Sequence, residues 1–240
     1  MAAIRLPRKV RMRPRPGAAP AAPGPPAAAL AGRSHGDFLA LGEEARAGAV
    51  QVDTVVGRKG DSQRILSLNM PALSFQLYVL LPSAGAAPVV AALDAIEAYC
   101  GSRAAFEGAF GVLLADRGSE FSDAEGMERS ALEPGARRCR VYYCDPMSPE
   151  QKGSCERNHE ELRRILPKRR STFDALTFAD VSLVCSHVNS YPRRRLGGRS
   201  PIELAALVLP DGLLESLGIG RVPLDEVVLR PRLVAHAVEP

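Results

Sequence analysis

The sequence predicts an α/β fold, a mixed five-stranded sheet with helices packed on it. Three observations carry this. Five short segments are β-branched or apolar, alternating or unbroken, while three longer ones repeat their apolar residues at helical spacing. The segments follow one another as β-β-β-α-β-loop-β-α-α, an order in which helices return to cover a sheet. No internal repeat is visible.

The first strand is "AVQVDTVVG", from Ala49, where alternation puts Val50, Val52, Thr54 and Val56 on one face and Asp53 on the other. "GRKGD" reads as a turn, and "RILSLNM" and "SFQLYVLL" complete a three-strand meander. "PVVAALDAIEAYC", residues 88 to 100, is an amphipathic helix with Pro88 suited to its first turn. "GVLLAD" and "RVYYCD" are strands four and five, with a loop-rich stretch from Phe121 to Arg138 between them. "SCERNHEELRRIL", 154 to 166, is a helix stopped by Pro167, with Cys155, His159, Leu162 and Leu166 on one face. His159 therefore reads as a packing residue. The last helix, 177 to 191, has Thr177 as its N-cap.

The chain has 240 residues, 46% hydrophobic and 24% charged, enough for a sizeable core. Residues 1 to 45 are expected to be a basic Pro/Ala/Arg-rich linker, because "PGAAPAAPGPPAAALAG" lacks the apolar surface to fold. Residues 46–207 then form the folded core and 208–240 a C-terminal extension. Residues 1 to 36 hold seven Lys/Arg and no acid, and residues 156 to 200 hold ten against five acids, two basic zones that suit a polyanion. The Arg-interrupted N-terminus has no signal-peptide core, and the longest apolar stretch, Leu77 to Leu93, is broken by Pro82, Gly85 and Pro88. The expectation is no membrane partner and a cytoplasmic location. Five cysteines without a repeating spacing indicate a reducing compartment. Cys139, Cys144, Cys155 and His159 lack zinc-ligand spacing, and Cys139 and Cys144 should face opposite sides of a strand.

Three acids stand at informative places: Asp53 in the first strand, Asp116 ending the fourth, and Glu156 in the first turn of the helix after the fifth. If strands one and four are neighbours, their backbones lie about 4.8 Å apart, and two inward carboxylates can share a cation. A helix packed on that edge can bring the third. Oxygen donors of this kind suit Mg²⁺, with Mn²⁺ as substitute, and paired ions serve phosphoryl transfer. Equally, the chain's 27 acids offer accidental triples, and an Asp before a Gly is an ordinary turn residue.

Longer motifs separate these readings. "QVDTVVGRKG", "LLADRGSEFS", "VYYCDPMSPEQKGSCERNHEELRRILPK" and "VNSYPRRRLGGRSPIEL" together resemble the catalytic core of insertion-sequence-30 family transposases, from about Gly32 to about Leu233. "GSCE" also resembles the corresponding junction of retroviral integrases. The resemblance implies a ribonuclease-H-like fold and a DDE triad of Asp53, Asp116 and Glu156, acting both as catalytic residues and as ligands of two Mg²⁺ ions. It implies cleavage and strand transfer of DNA, with element ends and target DNA as partners, a homo-oligomer on DNA, no small-molecule substrate, and a nucleoid-associated bacterial location. "IRLPRKVRMRPR" resembles the family's segment joining helix-turn-helix modules to the core, and those modules are expected to be absent. The alternative is a truncated, non-catalytic remnant that folds and binds DNA non-specifically.

The chain departs from the family pattern at Asp116-Arg117-Gly118, where Asp-Asn-Gly is usual, and at Glu156-Arg157-Asn158-His159-Glu160, where Glu-Asn-Asn-His-Glu is usual. Neither arginine is expected to fold back on its neighbouring acid. The expected DNA contacts are Lys152, Arg157, Arg163, Arg164, Lys168, Arg169, Arg170, Arg193, Arg194 and Arg195, downstream of or just before Glu156.

Overall fold

The computed structural model describes residues 24–146, 148, 151 and 155–239, with the backbone alone at 155–158. Five strands, β1 (Val50–Val56), β2 (Arg64–Met70), β3 (Phe75–Leu81), β4 (Val112–Ala115) and β5 (Arg140–Tyr143), form one sheet in the order β3-β2-β1-β4-β5. The meander is antiparallel, with Asp53 opposite Ser67 and Leu66 opposite Val79. β4 runs parallel to β1, pairing Leu113 with Val50 and Leu114 with Gln51, and β5 runs parallel to β4. Parallel neighbours need crossovers. These are supplied by α3 (Ala86–Tyr99) and α4 (Arg103–Phe110) before β4 and by α5 (Ala124–Glu128) before β5; the short helices α1 (His35–Leu39) and α2 (Glu43–Ala47) precede β1, and α6 (Cys155–Ile165), α7 (Phe178–Ser190), α8 (Pro201–Ala205) and α9 (Leu213–Ser216) follow the sheet. This is the ribonuclease-H-like arrangement expected.

The alternation expected in β1 breaks at its end, where Val55 is buried and Val56 is 41% exposed. β1 is the central strand, covered on both faces, so strict alternation is not required of it. α3 begins at Ala86, which makes Pro88 its third residue, still among the amides that lack an intrahelical acceptor. α4 was not anticipated. Ser102 caps it by accepting from the Ala105 amide at 3.1 Å, and Phe106 and Phe110 bury one turn apart. In α7, Thr177 and Asp180 form a capping box, as the sequence suggests.

Part of the segment expected to be linker is folded. Residues 1–23 lie outside the described residues, but Ser34 and Asp37 form a capping box on α1, and Phe38 is buried in a small cluster with Ala49, Leu114, Tyr142 and Cys144. The backbone here meets the open edge of β5, where the Tyr143 amide donates to the Arg33 carbonyl at 2.8 Å. Arg33 also grips Glu128 with two bonds of 2.8 Å. Burial alone would raise the Glu128 pKa, but the Arg33 bonds and the Val141 amide hold it below the ordinary value. The correction has a physical cause: one phenylalanine and one bidentate ion pair, each reaching a distant strand, outweigh a composition poor in apolar residues.

The C-terminal extension is likewise no appendage. Leu213, Leu217, Ile219, Val234 and Ala237 join the main core, and α7 holds the following backbone through serines one turn apart. Ser182 donates to the Leu217 carbonyl at 2.6 Å, while Ser186 and Ser190 accept from the Gly220 and Val222 amides. Cys139 and Cys144, flanking β5, fall in two different hydrophobic clusters, as expected of opposite faces.

Candidate nucleic-acid-processing site

The parallel register of β1 and β4 builds the centre of the site. Val50 is level with Leu113, so continuing both strands by three residues brings Asp53 level with Asp116, on backbones about 4.8 Å apart. Asp53 Oδ1 accepts from the Thr54 amide at 2.8 Å. Asp116 Oδ1 accepts from the Gly118 amide, also at 2.8 Å. Gly118 is required at that spot, because a Cβ there would stand 2.9 Å from Asp116 Oδ1 and 3.0 Å from Glu120 Oε2. Glu120 is thus a further carboxylate at the strand end, overlooked in the sequence although it lies within the same motif.

α6 faces this edge. His159 Nε2 lies 3.7 Å from Asp53 Oδ2, with the two side chains 22% and 26% exposed. His159 is therefore a neighbour of the acid as well as a packing residue. Position 156 is one turn earlier, on the same face of the helix as His159. The Glu156 side chain lies outside the described residues, as does that of Arg157 and the whole of Lys152. Leu162, Ile165 and Leu166 anchor the far half of α6 in the core and fix which face it turns to the sheet.

Arg117 extends toward the end of β5. Its Nε donates to the Cys144 carbonyl at 3.1 Å and its Nη2 lies 3.3 Å from Asp145 Oδ1. Gln151 in turn holds Asp145, accepting from its amide at 2.7 Å and donating to Oδ2 at 3.0 Å. Arg117 thus joins the segment after β4 to the residues that follow β5.

The arginines fall into two groups. Arg163 Nη2 donates to the Val56 carbonyl at 2.8 Å, its guanidinium lies 6.0 Å from the Phe173 ring centre, and burial pushes its pKa down. Arg193 grips Glu161 with two bonds, donates to the Val188 carbonyl at 2.9 Å and stacks over Tyr191. These two partly buried side chains, expected on the DNA track, are held by carbonyls, a ring each and, for Arg193, a carboxylate, and so also brace the fold. Arg164, Lys168, Arg169, Arg170, Arg194 and Arg195 are exposed. Of these, Arg170 reaches the Glu239 carbonyl and Arg195 the Pro71 carbonyl.

The donor set fits a hard divalent cation. Asp53 and Asp116 offer oxygens from adjacent strands, and the glycine at 118 keeps the space beside Asp116 clear of a side chain. Among the described residues no group of three ligating side chains comes together. The third donor position, 156, is described by its backbone alone. Among the described residues, too, no helix is long and apolar enough to cross a membrane.

Sheet order and strand direction define a ribonuclease-H-like core. The sequence comparisons carry the assignment further. The chain is 34% identical over 89 residues to the transposase for insertion sequence element IS1086 of Cupriavidus metallidurans, covering 37% of this chain and 26% of that protein. It is 34% identical over 65 residues to the transposase InsI for insertion sequence element IS30A of Escherichia coli, covering 27% of this chain and 17% of the relative. The matches thus span about a quarter of these relatives or less. No protein-family model matches. Among solved structures, the catalytic core domain of BIV integrase aligns with a TM-score of 0.43 and 21% identity, over 66% of this chain and 93% of that one. A simian T-cell lymphotropic virus intasome structure aligns with a TM-score of 0.49 and 15% identity, over 65% and 53%. Over these matched stretches the chain is similar to the transposases of IS1086 and IS30A.

Proposed function

We propose that the chain is a DDE transposase core that cleaves phosphodiester bonds at the ends of a mobile element and joins them to target DNA. The observation that carries this reading is the parallel register of β1 and β4, Gln51 beside Leu114, which when continued by two residues sets Asp53 level with Asp116, together with His159 of α6 beside Asp53. Asp53, Asp116 and Glu156 are the proposed catalytic residues and the ligands of two Mg²⁺ ions, or Mn²⁺ in substitution. When bound, such ions supply charge stabilisation for the oxygens of an in-line displacement and lower the pKa of a nucleophilic water. The chain's own part is to hold the carboxylates in place: the Gly118 amide orients Asp116, and His159 packs beside Asp53. Arg117 and Gln151 both hold Asp145, just past the end of β5. The proposed DNA contacts are Lys152, Arg157, Arg164, Lys168, Arg169, Arg170, Arg194 and Arg195, with the element ends and target as substrates. Two ends must meet, so at least two copies work together on DNA, in the bacterial cytoplasm on the nucleoid.

Calorimetric titration of Mn²⁺ against the parent and Asp116→Asn tests the site. The substitution keeps the side chain's size and removes the charge that attracts cations. Weaker binding in the folded variant, with loss of strand transfer on short duplexes, is the expected result. Equal Mn²⁺ affinity in the two proteins would remove Asp116 from the site.

A further inference from the structure

At the far end of β1 the turn of residues 57–63 and the segment 167–174 after α6 lock together through their acids. Asp61 Oδ2 accepts from the Phe173 amide at 2.7 Å and from the Arg58 amide at 3.0 Å, while Oδ1 accepts from the Thr172 hydroxyl at 2.9 Å. Asp174 Oδ1 returns the exchange, accepting from the Ser62 and Gln63 amides at 2.9 and 2.8 Å. The Arg58 amide also bonds the Ser171 carbonyl at 3.0 Å. The local carboxylates are thus occupied by amides and a hydroxyl, with Arg58 Nε 3.8 Å from Asp61 Oδ1, while Arg58, Lys59, Lys168, Arg169 and Arg170 of this frame, and Arg164 in the last turn of α6, are all exposed.

Two further features separate this patch from an ordinary solvated surface. Arg169 sits at φ 77°, a left-handed conformation that is uncommon for a residue with a side chain and concentrates at functional positions. Arg58 and Arg170 also converge on one residue. Arg58 Nη1 pairs with the Glu239 carboxylate, and Arg170 donates Nε and Nη2 to the Glu239 carbonyl at 3.0 and 2.7 Å. Guanidinium forks grip phosphate oxygens in the same way.

We propose that the β1–β2 turn and the segment after α6 form one rigid platform for the backbone phosphates of duplex DNA, and that Glu239 occupies Arg58 and Arg170 when DNA is away. The proposal rests on reading the chain as a DNA-acting core and deepens it: it adds Arg58 and Lys59 to the contacts proposed after α6, away from the carboxylates, and gives Glu239 a part in their control. Arg58 is five residues along the strand direction from Asp53, on the order of 16 Å, or about five base-pair steps of duplex. The platform therefore holds flanking duplex, and the carboxylate edge holds the reacting phosphate.

The test is fluorescence anisotropy with a duplex of arbitrary sequence, in EDTA, over a range of salt. Without metal the readout is independent of Asp53, Asp116 and Glu156 acting as ligands, so failure here leaves the Mn²⁺ titration untouched, and the reverse. Lys59→Ala/Lys168→Ala/Arg169→Gly is expected to make the slope of log K against log salt shallower by roughly 2–3, since each lost phosphate contact removes about 0.9. Glu239→Gln is expected to tighten binding about two- to fivefold, the scale of an exposed ion pair. If the triple variant does not fold by circular dichroism, Lys59→Ala alone is measured, with an expected change of about one. An unchanged slope, a Glu239→Gln affinity no tighter than the parent, or single strands bound as tightly as duplex would overturn the proposal.

Discussion

The middle of β1 and the turn that follows it use the same side chain for opposite purposes. Asp61 is 7% exposed and accepts from three donors, two of them on a segment more than a hundred residues away. Asp53 and Asp116 accept only from amides one and two residues along the chain, Thr54 and Gly118, among the hydrogen bonds described, and both are partly exposed. A carboxylate surrounded by distant backbone donors is a fastener, whereas carboxylates gathered on neighbouring strands suit an added cation. Glycine serves both places. A Cβ at Gly57 would meet Asp61 Oδ2 at 2.1 Å and the Phe173 ring at 2.9 Å, just as one at Gly118 would crowd Asp116.

The largest expected effect breaks the comparison at the site. Asp116→Asn should reduce strand transfer on the order of a thousandfold or more while leaving the urea midpoint within error of the parent. A comparable loss of stability would mean that Asp116 is also a fastener.

Asp61→Asn is the reciprocal change. One of its oxygens becomes an amide nitrogen that faces donors instead of accepting from them. Leaving buried donors unsatisfied costs about 2–4 kcal/mol, visible as a lowered urea midpoint. Mn²⁺ affinity should hold, and a fall like that of Asp116→Asn would erase the distinction between the two regions.

Much of this was legible in the sequence, and the rest shares one cause. The meander, the Thr177 cap, the fourth and fifth strands and the positions of Asp53, Asp116 and Glu156 follow from local periodicity and from motifs. The Asp61 lock, the docking of Phe38 on Tyr142 and the inward turn of Arg163 and Arg193 each depend on a partner far along the chain, which periodicity does not encode. The same holds for the C-terminal segment, where apolar residues spaced too irregularly to suggest a helix nevertheless enter the core. α4 is the exception, since Ser102 followed by Phe106 and Phe110 was a readable local signal.

Asp174 offers a smaller and pH-dependent test of the lock. The Gln63 and Ser62 amides hold its pKa below the ordinary 3.8. A carboxylate lowered in the folded state contributes stability above the unfolded value, and this is lost as pH falls below about 3.8 through the depressed folded value. Urea unfolding near neutral pH and again below pH ~3.8 should therefore show a smaller acid-induced loss in Asp174→Asn than in the parent. An identical loss in both would show that the two amides do not distinguish ionised from neutral Asp174.

The smallest effect separates strain from fastening within the platform itself. Arg169 holds φ 77° beside the lock. For an L-residue that conformation costs about 1–2 kcal/mol, which glycine avoids. Glycine also adds freedom to the unfolded chain, which removes about 0.4–1 kcal/mol of the gain. Relief of strain outweighs that loss, so Arg169→Gly should stabilise the fold by roughly 0.5–1 kcal/mol and raise Tm by about 1–4 °C. The same substitution should make the salt slope of duplex binding shallower by about one, because a cation is lost. Gain of stability together with loss of DNA affinity would mark Arg169 as a residue kept in a costly conformation for its charge. A variant of lower Tm would place it with Asp61 instead, as part of what holds the turn together.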